Sequence, residues 1–77
     1  MSGSARLSIF TFDTTTHAMW AEEVAGEEGV PAEVIPAPAD AGAKCDLALR
    51  TLPARVEELA GAFRREGIEF RLYPDGA

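Results

Sequence analysis

Two glycines set the layout of this chain. Gly29 and Gly67 each end a stretch of helical apolar periodicity, and a short alternating run follows each of them. Glycine closes a helix in the left-handed conformation without steric penalty. Pro31 then bars the first helix from resuming, because it lacks an amide donor. Helices bounded in this way are short, and the alternating runs around them point to a sheet.

The runs between the helices supply that sheet. Arg6-Leu7-Ser8-Ile9-Phe10-Thr11-Phe12 is β-branched and aromatic, and reads as a strand with apolar groups on both faces, hence a central one. Asp13 or Thr14 caps the first helix. At 100° per residue His17, Ala18, Ala21, Val24 and Ala25 share one arc, with Trp20 at its edge, while Met19, Glu22, Glu23 and Glu27 point away. Ala32–Pro36 is a second strand, placed at an edge by its proline. A third strand is predicted from Cys45 to Thr51, with Cys45, Leu47 and Leu49 on one face and Asp46, Ala48 and Arg50 on the other. Thr51 or Leu52 caps the second helix, Pro53 occupies its first turn, and Val56, Leu59, Ala60 and Phe63 form its apolar stripe. Glu69–Tyr73 alternates as a last strand, and Pro74-Asp75-Gly76 reads as a turn or tail. Residues 1–5, with Ser2-Gly3-Ser4, read as a flexible leader, and residues 6–75 as a single domain.

The order β-α-β-β-α-β is the split β-α-β pattern, and predicts an α+β ferredoxin-like sandwich. Its four-stranded antiparallel sheet carries two helices on one face. The third strand lies between the first and second, and the fourth flanks the first. The opposite face is open, and a homodimer formed across it is the expected use of that surface. The same topology brings the end of strand one, the start of helix one and the loop before Cys45 to one end of the sheet. Cys45 is therefore expected beside Thr14, Thr15, Thr16 and His17.

Composition excludes several partners. A chain of this length buries roughly 60–65% of its unfolded surface, and one cysteine cannot close an intramolecular disulfide. A lone cysteine without a signal peptide fits the reducing cytosol, so a cytoplasmic location is expected. The apolar runs are too short to span a bilayer, so no membrane partner is expected. The net charge is −6. Five acids and no Lys or Arg lie between Asp13 and Gly29. Such a surface repels phosphate backbones, and nucleic acid is not expected as a partner.

Cys45 is the candidate for chemistry. It follows the Pro/Ala/Gly-rich stretch Pro36–Lys44, and a thiol at a loop–strand junction is expected to be partly exposed. Free helix amides and the positive end of the helix dipole would favour its thiolate. Lys44 adds a positive charge, which Asp46 offsets. The competing reading is a small apolar side chain sealing the core beside Leu47, since free cysteine is among the most buried residue types. His17 reads either as a base for Cys45 or as a core-edge residue. Thr14, Thr15 and Thr16 read either as anion ligands or as caps and turn formers. Trp20 and Phe63 read as core or dimer-seam residues, and Arg64 and Arg65 as complements to the helix dipole. One Cys and one His leave a metal site two ligands short, so neither metal nor other cofactor is expected. Without an acid–base pair or room for a deep pocket, independent turnover is not expected.

The run Thr11-Phe12-Asp13-Thr14-Thr15-Thr16-His17-Ala18-Met19-Trp20-Ala21-Glu22 resembles the opening of the putative selenium/sulfur carrier protein-like family. Gly29-Val30-Pro31-Ala32-Glu33-Val34-Ile35-Pro36-Ala37-Pro38 is similar to that family's short strand and Pro-x-Pro element. Cys45 and the strand Leu47-Ala48-Leu49-Arg50 complete the likeness, which runs from about Leu7 to Tyr73. Members commonly have glycine after the cysteine, where this chain has Asp46. The resemblance implies a sulfur or selenium carrier, with the atom held on Cys45 as a persulfide or selenosulfide, and donor and acceptor proteins as partners. Two other classes stand beside it. One is a non-catalytic module binding a small anion at the Cys45 end, and the other is an interaction domain pairing through its sheet.

Overall fold

Both helices end in the same hydrogen-bonded pattern, and it accounts for where the chain turns. A computed structural model of the protein describes residues 8–39, 42 and 44–73. The expected leader, Arg6, Leu7 and the Pro74–Gly76 segment lie outside these residues, as do Asp40, Ala41 and Ala43. The first strand, β1, is Ser8–Thr11, and the first helix, α1, is Thr15–Glu28. After α1, Gly29 takes φ 72°, and the Val30 amide donates to the Ala25 carbonyl at 2.9 Å. After the second helix, α2 (Val56–Glu66), Gly67 takes φ 82° and the Ile68 amide donates to the Phe63 carbonyl at 2.9 Å. These are Schellman caps. In each, the residue after the glycine is apolar and buried, so the chain leaves the helix pointing into the core.

The sheet is completed by β2 (Ala32–Pro36), β3 (Leu47–Thr51) and β4 (Arg71–Tyr73). Its order is β2-β3-β1-β4, and every neighbouring pair is antiparallel. The third strand thus lies between the first and second, the fourth flanks the first, and the proline-bearing β2 is an edge strand. Register places Val34, Leu49, Phe10 and Leu72 in one row across the sheet. Phe10 and Leu49 are fully buried and belong to one core cluster with Ala18, Ala21 and Val24 of α1 and with Leu59, Ala60 and Phe63 of α2. Both helices therefore cover this face. The other face carries Glu33, Ile35, Ala48, Arg50, Ile9 and Tyr73, and no described element packs on it. Ala48 is buried there between its row neighbours Thr11 and Ile35, and Arg50 pairs with Glu33.

Four boundaries differ from the sequence reading. The first strand ends at Thr11 and not at Phe12. The third strand starts at Leu47 and not at Cys45, because the Leu47 amide is taken by the Cys45 sulfur and the backbone bends there. Pro53 opens a 3₁₀ turn, Pro53–Arg55, ahead of α2, with Leu52 at its head and no side-chain cap. The last strand begins at Arg71, two residues later than predicted. Trp20 is not a core residue: it is 37% exposed, and Ala18, Ala21, Val24 and Ala25 alone form the buried stripe of α1.

Phe63 is the residue on which the core closes. Its ring meets Phe10 at 5.0 Å, Phe70 at 5.6 Å and Phe12 at 6.1 Å, all edge-to-face. Phe63→Ala should cost about 3–5 kcal/mol, a large share of the roughly 5–15 kcal/mol available to a small domain. Met19→Ala, at a position 59% exposed, should stay within about 0.5 kcal/mol. Urea unfolding followed by circular dichroism measures both, and equal midpoints for the two variants would remove Phe63 from this role.

Candidate functional site

The start of α1 and the start of β3 meet at one end of the sheet. Thr14 is the helix N-cap, with extended backbone, and its hydroxyl accepts the His17 amide at 3.1 Å. The Ala18 amide reaches the Thr14 carbonyl. The amides of Thr15 and Thr16 have no acceptor among the described residues, as expected of a first helical turn. On the strand side, the Cys45 amide donates to the Phe12 carbonyl at 3.3 Å, and the Ala37 amide to the Asp46 carbonyl at 2.8 Å. The first bond ties the cysteine to the end of β1. The second ties the residue after it to the end of β2.

These ties bring Cys45 against α1. Its Sγ lies 3.7 Å from the Thr15 hydroxyl, across 30 residues of sequence, and accepts the Leu47 amide at 3.3 Å. The predicted meeting of Cys45 with the threonine turn is therefore present for Thr15. Thr14 is occupied in capping, and Thr16 is exposed without a contact to the sulfur. His17 is not brought to Cys45. Its ring lies 6.2 Å from that of Trp20, and its Nδ1 is buried without a hydrogen-bond partner among the described residues. Lys44 is exposed beside the cysteine and makes no ion pair among the described residues.

Two expectations need correcting. Cys45 is 4% exposed and belongs to the core cluster, so the sulfur is not partly open to solvent. The physical reason is that its side chain folds back over its own backbone to take the Leu47 amide, which turns it inward. The backbone donor to the sulfur is also Leu47 and not an amide of α1. The sulfur nevertheless touches a residue, Thr15, that is itself exposed. No group of three or more His, Cys, Asp or Glu side chains suited to a metal occurs among the described residues.

Sequence reasoning missed a cleft of about 480 Å³ at this same end, whose lining includes Phe12, Asp13, Arg64, Glu69, Phe70 and Arg71. Arg64 was legible only as a complement to the helix dipole. Its guanidinium in fact lies 5.5 Å from the centre of the Phe70 ring. Pairing of that kind depends on how the turn after Gly67 folds back, which no local pattern announces.

Comparison with known families gives a match over most of the chain. A family model described as "Putative Se/S carrier protein-like" covers residues 8–74. Neither the curated proteins nor the solved structures contain a match to it. Among the described residues no helix is long and apolar enough to cross a membrane.

The burial of Cys45 has a measurable consequence. Iodoacetamide should label it under native conditions about tenfold or more slowly than in denaturant, since reaction waits on a local opening. Thr15→Ala should speed native labelling, and Thr16→Ala should leave it unchanged. A native rate equal to the denatured one would mean that the sulfur is not covered at all.

Proposed function

This chain belongs to the Se/S carrier protein-like family, and on that footing we propose that Cys45 holds a sulfur or selenium atom as a persulfide or selenosulfide. The observation that carries the proposal is the contact of Cys45 Sγ with Thr15 at the head of α1. Rotation of one exposed threonine side chain gives a reagent its path to the sulfur. The loaded atom then meets the Thr15 and Thr16 amides, which lack internal acceptors, at the positive end of the helix. A ferredoxin-like scaffold suits this reading, because its topology brings the head of α1 and the start of β3 to one end of the sheet.

Loading is a thiol–disulfide type exchange. The Cys45 thiolate attacks the outer sulfur of a donor persulfide, the donor S–S bond breaks, and an S–S bond forms on Cys45. The donor leaves as a thiolate, so no electrons are gained or lost overall. Delivery is the reverse step, in which an acceptor thiolate takes the outer atom from Cys45. With one cysteine in the chain, a loaded Cys45 has no resolving thiol within its own molecule, and the cargo persists until an acceptor arrives. Asp46 does not obstruct this. It is exposed, and its backbone is not in the left-handed region, so nothing in the local geometry calls for the glycine common in this family.

Incubation with a cysteine desulfurase and free cysteine should add the mass of one sulfur to the protein, and a thiol reductant should remove it. Cys45→Ser should gain nothing, and Asp46→Gly should load at least as well as the parent chain. If neither the persulfide of a desulfurase nor a selenosulfide donor adds mass while a small alkylating agent does reach Cys45, the carrier reading fails, and a non-catalytic binding module takes its place.

A further inference from the structure

The cleft at the end of β1 and the start of β4 is bordered by four charged residues, Asp13, Arg64, Glu69 and Arg71, around Phe12 and Phe70. Its volume of about 480 Å³ falls in the range of small-molecule sites. Elsewhere the described arginines are neutralised: Arg50 pairs with Glu33, Arg55 with Glu58 and Arg65 with Glu28. Arg64 and Arg71 pair with no carboxylate among the described residues, although two carboxylates line the same cleft. In a chain of net charge −6, where acids outnumber bases, this separation needs a cause. Part of it is visible, since the Arg64 guanidinium lies over the Phe70 ring.

Two positive and two negative side chains that line one cleft without pairing complement a ligand that carries both charges a short distance apart. A simple anion would gain from the arginines and be repelled by Asp13 and Glu69, and a simple cation would meet the opposite balance. We propose that this cleft binds a free α-amino acid. Its carboxylate faces Arg64 and Arg71, where the guanidinium fork matches carboxylate geometry. Its ammonium faces Asp13 and Glu69, and its side chain lies against the half-buried Phe70. The charged residues are all exposed, so solvent screens each contact and the affinity falls in the millimolar range. The site does not rest on the carrier reading, although Phe12 is common to both through its bond with the Cys45 amide.

The test is a titration of the ¹⁵N-labelled full chain with L-leucine, followed by amide chemical shifts. Saturable shifts are expected at Asp13, Arg64 and the segment Ile68–Arg71. Arg64→Gln and Arg71→Gln, both at exposed positions, should each weaken binding about fivefold while leaving the remaining spectrum in place. N-acetyl-L-leucine and L-leucine methyl ester, each lacking one of the two charges, should weaken to a similar extent. The proposal is overturned if no saturable shift appears by about 50 mM leucine, a concentration above any specific millimolar constant. It is equally overturned if either analogue binds as tightly as leucine, or if the two arginine variants bind as the parent does.

Discussion

The edge-to-face contacts of Phe63 with Phe10, Phe12 and Phe70 hold this structure together, and they engage every phenylalanine of the chain. The four rings come from β1 and the residue after it, from α2, and from the segment leading into β4. A chain of 77 residues with one cysteine has no disulfide to join such distant parts, so aromatic burial takes that role. The site inherits its position from this cluster. Phe12 is fixed by Phe63 on its side-chain side, and its carbonyl receives the amide of Cys45. The placement of the cysteine is thus a consequence of core packing one residue away.

Burial and reactivity, set against each other when the sequence is read alone, are reconciled by geometry. Cys45 is part of the core and also touches an exposed threonine. Its sulfur serves as an acceptor for the Leu47 amide, a group that would otherwise belong to the strand ladder. A serine there could keep that bond but not the polarizable contact with its apolar neighbours. The sulfur thus has a structural duty whether or not it carries cargo. Any chemistry at Sγ acts on the atom that also fixes the start of β3.

Much of the architecture was legible because the punctuation was strong. Gly29, Pro31 and Gly67 mark the helix ends with residues whose backbone preferences leave few alternatives, and the apolar arcs of both helices coincide with their buried faces. Strand boundaries were less legible, since Cys45 and Asp46 alternate in the manner of a strand yet a side-chain hydrogen bond bends them out of it. At the site, the nearness of Cys45 and Thr15 followed from topology. The inward turn of the sulfur and the absence of a bond to His17 did not, because both depend on rotamers and on which acceptor claims each amide. The charged cleft was invisible for a related reason: Asp13, Arg64, Glu69 and Arg71 converge only after α2 has turned back at Gly67.

Trp20 gives the molecule an optical property of practical value. It is the only tryptophan, it lies near the start of α1 and not in the core, and its ring neighbours that of His17. Its emission in the folded protein is therefore that of a partly covered indole at the solvent boundary. The same placement, little more than one helical turn from Thr15, makes that fluorescence sensitive to events at the head of α1. The intrinsic signal is consequently a monitor of the cysteine end of the molecule, and the phenylalanine core is silent at those wavelengths.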